Sequence, residues 1–266
     1  VWPGGAWDLC VTSPGIPLDH PWQAAARAAG VKVVSELQLG ASRWKGRTLA
    51  VTGSKGKSSV VKLIADTLNL AGVPAVPCGN YGTPVSEVAS SAELPEWAVV
   101  EVSSFMMETT NLPSDTFEAA AILNVQEEHL DRHGDMSVYW ALKHRLKWMT
   151  GTFYAGAESL RAEELEASAP FAGFRSLVAG SYFDNDVLRA NGAYAVALMR
   201  SAGLGDAVIA RAFHEFVPLP HRFQLVKESD GVRYVDDSKA TSLAALAAGV
   251  SMAGRNVRLV AGGLPK

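Results

Sequence analysis

Apolar residues along the chain fall in short unbroken runs, and between the runs lie stretches with helical spacing. Thr48-Leu49-Ala50-Val51 is one such run; Val60 to Leu68 follows it with apolar residues at helical intervals. The alternation continues downstream. Pro74 to Cys78, Trp97 to Val102, Ala119 to Val125 and Thr152 to Ala155 read as strands, while a helix follows Pro84 and another runs from Ser137 to Met149. This pattern predicts an α/β fold, a parallel sheet with helices on both faces.

The flanks are patterned differently. Trp7 to Thr12 reads as a strand, Ser13 to Pro17 as a turn, Pro21 to Gly30 as an alanine-rich helix, Val31 to Val34 as a strand, and Ser42 to Gly46 as a linker. Glu158 to Ser181 carries no readable period. Asn185 to Arg200 and Asp206 to Phe216 predict two helices, and Phe223 to Glu228 with Val232 to Val235 predict a hairpin about Asp230-Gly231. Asp236 to Thr241 is expected to open a helix, and Val257 to Val260 to form a last strand.

Composition narrows the class. A chain of 266 residues has room for one large domain or two modest ones. Its net charge of −3 excludes a broadly basic nucleic-acid surface. No apolar run approaches membrane-spanning length, so no membrane insertion is expected. Cys10 and Cys78 form no metal-type cluster and fit a reduced, cytoplasmic protein. No signal peptide is visible, and the first residue, Val1 rather than Met, reads as a cut.

The chemistry centres on Gly53-Ser54-Lys55-Gly56-Lys57-Ser58-Ser59, set between a strand and a helix. That is the context of a phosphate-binding loop, although this one is two residues shorter than G-x-x-x-x-G-K-[ST]. Glycines admit a tight turn, the helix start offers N–H groups, Lys57 adds charge for phosphates, and the Ser58 hydroxyl can hold Mg²⁺. Glu101 ends an apolar strand, where a carboxylate needs a cationic partner or a metal. His129 reads as a structural histidine or a Mg²⁺ ligand. On the residues alone, Lys143 is a solvated helix lysine, Asp237 and Ser238 a helix cap, Arg222 a surface ion pair, and Met106-Met107 core packing.

Together these pieces resemble the Mur ligase family along nearly the whole chain. The matching stretches are Ser13 to Pro17, Thr52 to Ser59, Gly79-Asn80-Tyr81-Gly82, Glu101 to Phe105, Asn124 to Arg132, Tyr139 to Arg145, Leu219 to Arg222, and Asp237 to Thr241. The short glycine loop is that family's form of the motif. The resemblance implies a central parallel-sheet P-loop ATPase domain (43–218) between parts of two Rossmann-like α/β domains. Residues 1–42 would be the C-terminal part of a UDP-substrate domain, and 219–266 the truncated start of an amino-acid domain.

The implied activity is ATP-dependent amide formation, adding D-glutamate to UDP-N-acetylmuramoyl-L-alanine through an acyl phosphate in peptidoglycan precursor synthesis, by a monomer acting on small molecules. A related ligase using another amino acid, and a nucleotide-binding paralogue without ligase activity, remain alternatives. Implied ATP contacts are Gly53 to Ser59, Asn191, Arg222, Asp237 and Lys239. Implied holders of two Mg²⁺ ions are Ser58, Glu101, His129 and a carbamylated Lys143; implied substrate contacts are Ser13, Asn80, Ser103 and Thr241. The sequence departs from the family's pattern at Lys55, usually asparagine, at Met106-Met107, usually glutamine-leucine, ahead of Asn191, and in a shortened 151–181 region.

Overall fold

The strands are β1 (Leu9–Thr12), β2 (Lys32–Ser35), β3 (Arg47–Thr52), β4 (Ala75–Gly79), β5 (Trp97–Glu101), β6 (Phe117–Ile122), β7 (Thr150–Tyr154), β8 (Gln224–Ser229) and β9 (Val232–Asp236). The structure is a computed structural model and describes residues 5–155, 165–254 and 256–262. Five strands pair in parallel in the order β4-β5-β3-β6-β7. Their period of two sends side chains to opposite faces. Leu49, Val51, Trp97, Val99, Ala119 and Ala121 join one core, and Ala50, Ala98, Val100 and Ala120 the other. Burial on both faces is why these strands read as continuous apolar runs rather than alternating ones.

Helix α1 (Pro21–Ala28) packs on β1 and β2, which pair in parallel. Helix α2 (Glu36–Arg43) was not expected, because Gly40 interrupts its apolar pattern. A Cβ on Gly40 would stand 2.5 Å from the Ser86 backbone nitrogen, so a close helix crossing needs glycine there. The crossing helix is α4 (Val85–Val88). Helix α3 (Lys57–Leu70) follows the glycine loop, and α5 (Ser104–Thr109) and α6 (Leu130–His133) are short helices the pattern did not reveal. Helix α7 (Met136–His144) ends earlier than expected: Arg145–Met149 tightens into a 3-10 turn, with the Arg145 guanidinium on the carbonyls of Met107 and Thr110.

Of the unreadable 158–181 stretch, 158–164 lies outside the described residues; the rest includes α8 (Phe174–Val178). Helices α9 (Arg189–Ser201) and α10 (Asp206–Glu215) cover the first core. The predicted hairpin is β8–β9, antiparallel. Helix α11 (Leu243–Ala253) starts later than expected, because the Ser242 hydroxyl caps it and Asp237 to Thr241 stay in the turn. The expected strand Val257 to Val260 does not form: among the described residues no strand pairs with it, and a strand exists only through its ladder.

The chain leaves β3 toward β4 on one side and β6 toward β7 on the other. Adjacent strands with diverging connections open a crevice at their carboxyl ends, where open α/β sheets bind ligands.

Candidate active site

Two loops meet in that crevice, and Asn124 joins them. The Ser54 N–H donates to the Asn124 carbonyl at 2.9 Å, and the Lys55 N–H to Asn124 Oδ1 at 2.8 Å. Asn124 Nδ2 donates to the Lys55 carbonyl at 2.9 Å. Gly56 caps α3 with φ of 85°, the left-handed region that glycine enters without strain. A Cβ there would also stand 2.1 Å from Asn191 Nδ2. The first turn of α3 therefore points its N–H groups out of the loop, and such groups have no intrahelical acceptor. An anion at this helix start would meet the N–H groups of Gly56, Lys57, Ser58 and Ser59, whereas those of Ser54 and Lys55, also expected to contact phosphate, are tied to Asn124.

Lys57 Nζ donates to the Ser54 carbonyl at 3.0 Å, and burial pushes its pKa down. A desolvated ammonium of this kind gains from an arriving anion. Glu101 stands beside Val51 in the β3–β5 register and is 2 % exposed. Its Oε1 accepts from Asn80 Nδ2 at 2.7 Å, while its buried Oε2 has no hydrogen-bond partner. The cationic partner expected as one reading of Glu101 is absent among the described ion pairs. A buried carboxylate oxygen left open next to a phosphate loop fits a divalent cation. Among the described residues no three His, Cys, Asp or Glu side chains converge as a metal cage. That suits Mg²⁺, which takes one or two carboxylates and fills its shell with phosphate oxygens and water.

The neighbouring cavity, about 180 Å³, is lined by Lys57, Asn80, Ser103, His129, Tyr139 and Lys143, among others. His129 caps α6 in the left-handed conformation, φ 60°, and burial lowers its pKa against the opposing pull of Glu128. Lys143 is not solvated: it is 1 % exposed, donates to the Gly53 carbonyl at 2.9 Å, and lies over the Tyr139 ring. Burial, then the nearby Lys57 charge, lowers its pKa to about 7. A larger cavity of about 530 Å³ opens at the opposite end of the sheet, around Trp44, Thr48 and Thr116, remote from these groups.

Sequence reasoning missed several supporting residues. Tyr139 OH bonds Ser54 Oγ at 2.9 Å and thereby braces the glycine loop. His133 Nε2 pairs with Ser104 Oγ at 3.0 Å, and its other nitrogen faces Glu108 at 3.3 Å. Arg132 holds Glu108 at 2.6 Å and reaches the Ile16 carbonyl at 3.1 Å. The run His129 to His133 offered a signal, since its charges recur at helical spacing.

Ser103 caps α5, accepting from Met106 N–H at 3.2 Å, and Met106 and Met107 are buried as expected. Ser13 and Thr241 are exposed, in the β1–α1 turn and just before Ser242. Arg222 is no surface ion pair among the described residues; its guanidinium lies 3.4 Å from Ser58 Oγ. Asp237 accepts from Phe223 N–H, and burial raises its pKa. The Lys239 N–H donates to the His221 carbonyl. Asn191 is 3 % exposed, packed under Gly56 with its Oδ1 3.3 Å from Asn124 Nδ2.

Residues 51–153 match the Mur ligase middle domain. A UDP-N-acetylmuramoylalanine–D-glutamate ligase of Gloeobacter violaceus is 33 % identical over 97 % of this chain, and one of Frankia casuarinae 36 % over 99 %. The chain spans 63 % of the length of each. Among solved structures, MurF ligase of Thermotoga maritima in complex with ADP superposes with a TM-score of 0.57 at 13 % identity, covering 91 % of this chain and 71 % of that one. UDP-N-acetylmuramate–alanine ligase of the same organism gives 0.54 at 17 %, covering 86 % and 60 %. The matched stretch thus places a middle domain of the Mur ligase family at residues 51–153, the part of the chain that carries the glycine loop and Glu101, and the relatives of 33–36 % identity extend the likeness over nearly the whole chain.

Proposed function

We propose that the chain supplies the ATP site of a ligase that joins D-glutamate to UDP-N-acetylmuramoyl-L-alanine. The carrying observation is the buried, unpartnered Glu101 Oε2 beside a loop whose helix start and Lys57 await an anion. The D-glutamate assignment rests on similarity to the relatives. In this reading residues 1–42 belong to the UDP-substrate unit, 43–218 to the ATPase and 219–266 to the amino-acid unit. The reaction runs in the cytoplasm, by one chain acting on small molecules.

The substrate carboxylate attacks the γ-phosphorus of ATP, ADP leaves, and an acyl phosphate forms. The D-glutamate amine then adds to the acyl carbon, and phosphate leaves as the amide forms. The chain's own work is to position and to neutralise. N–H groups from Gly56 to Ser59 hold phosphate oxygens. Lys57 balances charge that builds on the transferred group. Tyr139 and Asn124 keep the loop from yielding as that charge moves.

Ser58, Glu101 and His129 would hold Mg²⁺, which supplies charge neutralisation on the phosphates when bound. Lys143, with its pKa near 7, keeps a neutral amine fraction at neutral pH. That amine can add CO₂ and lose a proton to become a carbamate, an anion suited to a second ion. Asn80, Ser103, Ser13 and Thr241 would contact substrate; Asn191, Arg222, Asp237 and Lys239 would frame the nucleotide. The test is phosphate release from ATP by the full protein. The proposal expects it to require both UDP-N-acetylmuramoyl-L-alanine and D-glutamate; hydrolysis indifferent to either would contradict it.

A further inference from the structure

Lys55 has no place in the phosphate cradle, although it sits in the glycine loop. Its backbone is fixed at both ends by Asn124. Its ammonium leaves the loop and lies between two groups: Glu128 Oε1 at 2.7 Å and Ser242 Oγ at 3.1 Å. Ser242 caps α11, accepting also from the Ala245 N–H at 3.3 Å. A cation at a helix N-terminus is opposed by the helix dipole, so α11 itself does not draw Lys55 there. Glu128 offsets that cost, and the pair is three-quarters shielded from solvent, at 29 % and 23 % side-chain exposure.

The bridge crosses between units. Among the described residues, two side-chain hydrogen bonds join 219–262 to the central unit: Lys55 to Ser242, and the longer Arg222 to Ser58 at 3.4 Å. We propose that Lys55 is a positioning residue, a latch that fixes the start of α11, and with it Thr241, against the glycine loop. The part played by Thr241 rests on the ligase reading; the latch does not.

The experiment is hydrogen exchange on the nucleotide-free chain, comparing wild type with Lys55→Met, Lys55→Arg, Ser242→Ala and the double variant Lys55→Met/Ser242→Ala. Lys55→Met is expected to speed exchange in peptides over 240–250 by roughly threefold to tenfold, the scale of one charge-assisted hydrogen bond. Peptides over 47–70 should stay unchanged, which also shows that the variant is folded. Lys55→Arg should restore most of the protection. In the Ser242→Ala background, Lys55→Met should add little, because the contact is already gone. Unchanged exchange at 240–250 in Lys55→Met, or full additivity in the double variant, overturns the latch. Loss of Mg-ATP binding in Lys55→Met with exchange unaltered would also overturn it, by making Lys55 a phosphate contact. Failure of substrate-dependent phosphate release would remove the ligase reading and leave the exchange result standing.

Discussion

A half-buried lysine, Lys57, and a buried one, Lys143, set the residue-scale electrostatics. Lys57 meets the loop where phosphates would lie, and Lys57→Ala is expected to cut turnover of the full protein by at least ~10². Near-normal turnover in a folded variant would remove the loop from the mechanism. Lys143 was the residue least legible in the sequence. Trp140 and Ala141 beside it are exposed, and only its hydrogen bond to the Gly53 carbonyl and its place over the Tyr139 ring on the same helix show that this lysine points inward. Its folded pKa of about 7 lies below the ordinary 10.5, so between these values the unfolded chain holds a proton that the folded chain has released. Stability therefore rises with pH across that window, by at most a few kcal/mol from this group. The penalty is fully present below the folded pKa. In CO₂-free buffer, Lys143→Met should flatten the rise in urea-melt stability from pH 7 to 10, leaving the part due to Lys57, whose pKa burial also lowers. An unaltered slope would show that Lys143 is not buried as a charge.

At the scale of elements, the sheet was legible because parallel strands buried on both faces must be apolar throughout. The glycine loop was legible because its spacing is dictated by the turn. Helix α2 was hidden by Gly40, which its crossing with α4 requires, and the strand expected at Val257 had the right composition but no partner among the described residues. Propensity proposes an element; neighbours decide it. Gly56 illustrates the same point inside the site. Gly56→Ala forces an L-residue into φ 85° and drives Cβ against Asn191, so a loss of about 1–3 kcal/mol in urea denaturation is expected. Asn191→Ala in the same chain should return part of it, by removing the clash and not the backbone strain. A Gly56→Ala variant as stable as wild type would mean that the loop adopts another conformation.

For the whole molecule, the first segment and the cavity wall share one polar chain: the Ile16 carbonyl, Arg132, Glu108, His133 and Ser104. Glu108 is the shared acceptor, with 8 % side-chain exposure against 18 % for Arg132. Glu108→Ala would leave the Arg132 guanidinium without its carboxylate and the His133 ring without its partner, at a cost of about 3 kcal/mol. A thermal midpoint unchanged by this variant would show that the chain of contacts is not maintained in solution. Arg132 and His133 stand together in the sequence, but nothing there tells that Glu108 and the Ile16 carbonyl are their partners. At the centre of the molecule, the open oxygen of Glu101 is expected to hold the cation that accompanies nucleotide phosphates. Calorimetric titration of the chain with ATP, with and without Mg²⁺, for wild type and Glu101→Gln, tests it directly. Wild type should bind ATP at least about tenfold more tightly with Mg²⁺, and Glu101→Gln should bind equally weakly with and without it. A Glu101→Gln variant that keeps the full Mg²⁺ enhancement would contradict the account.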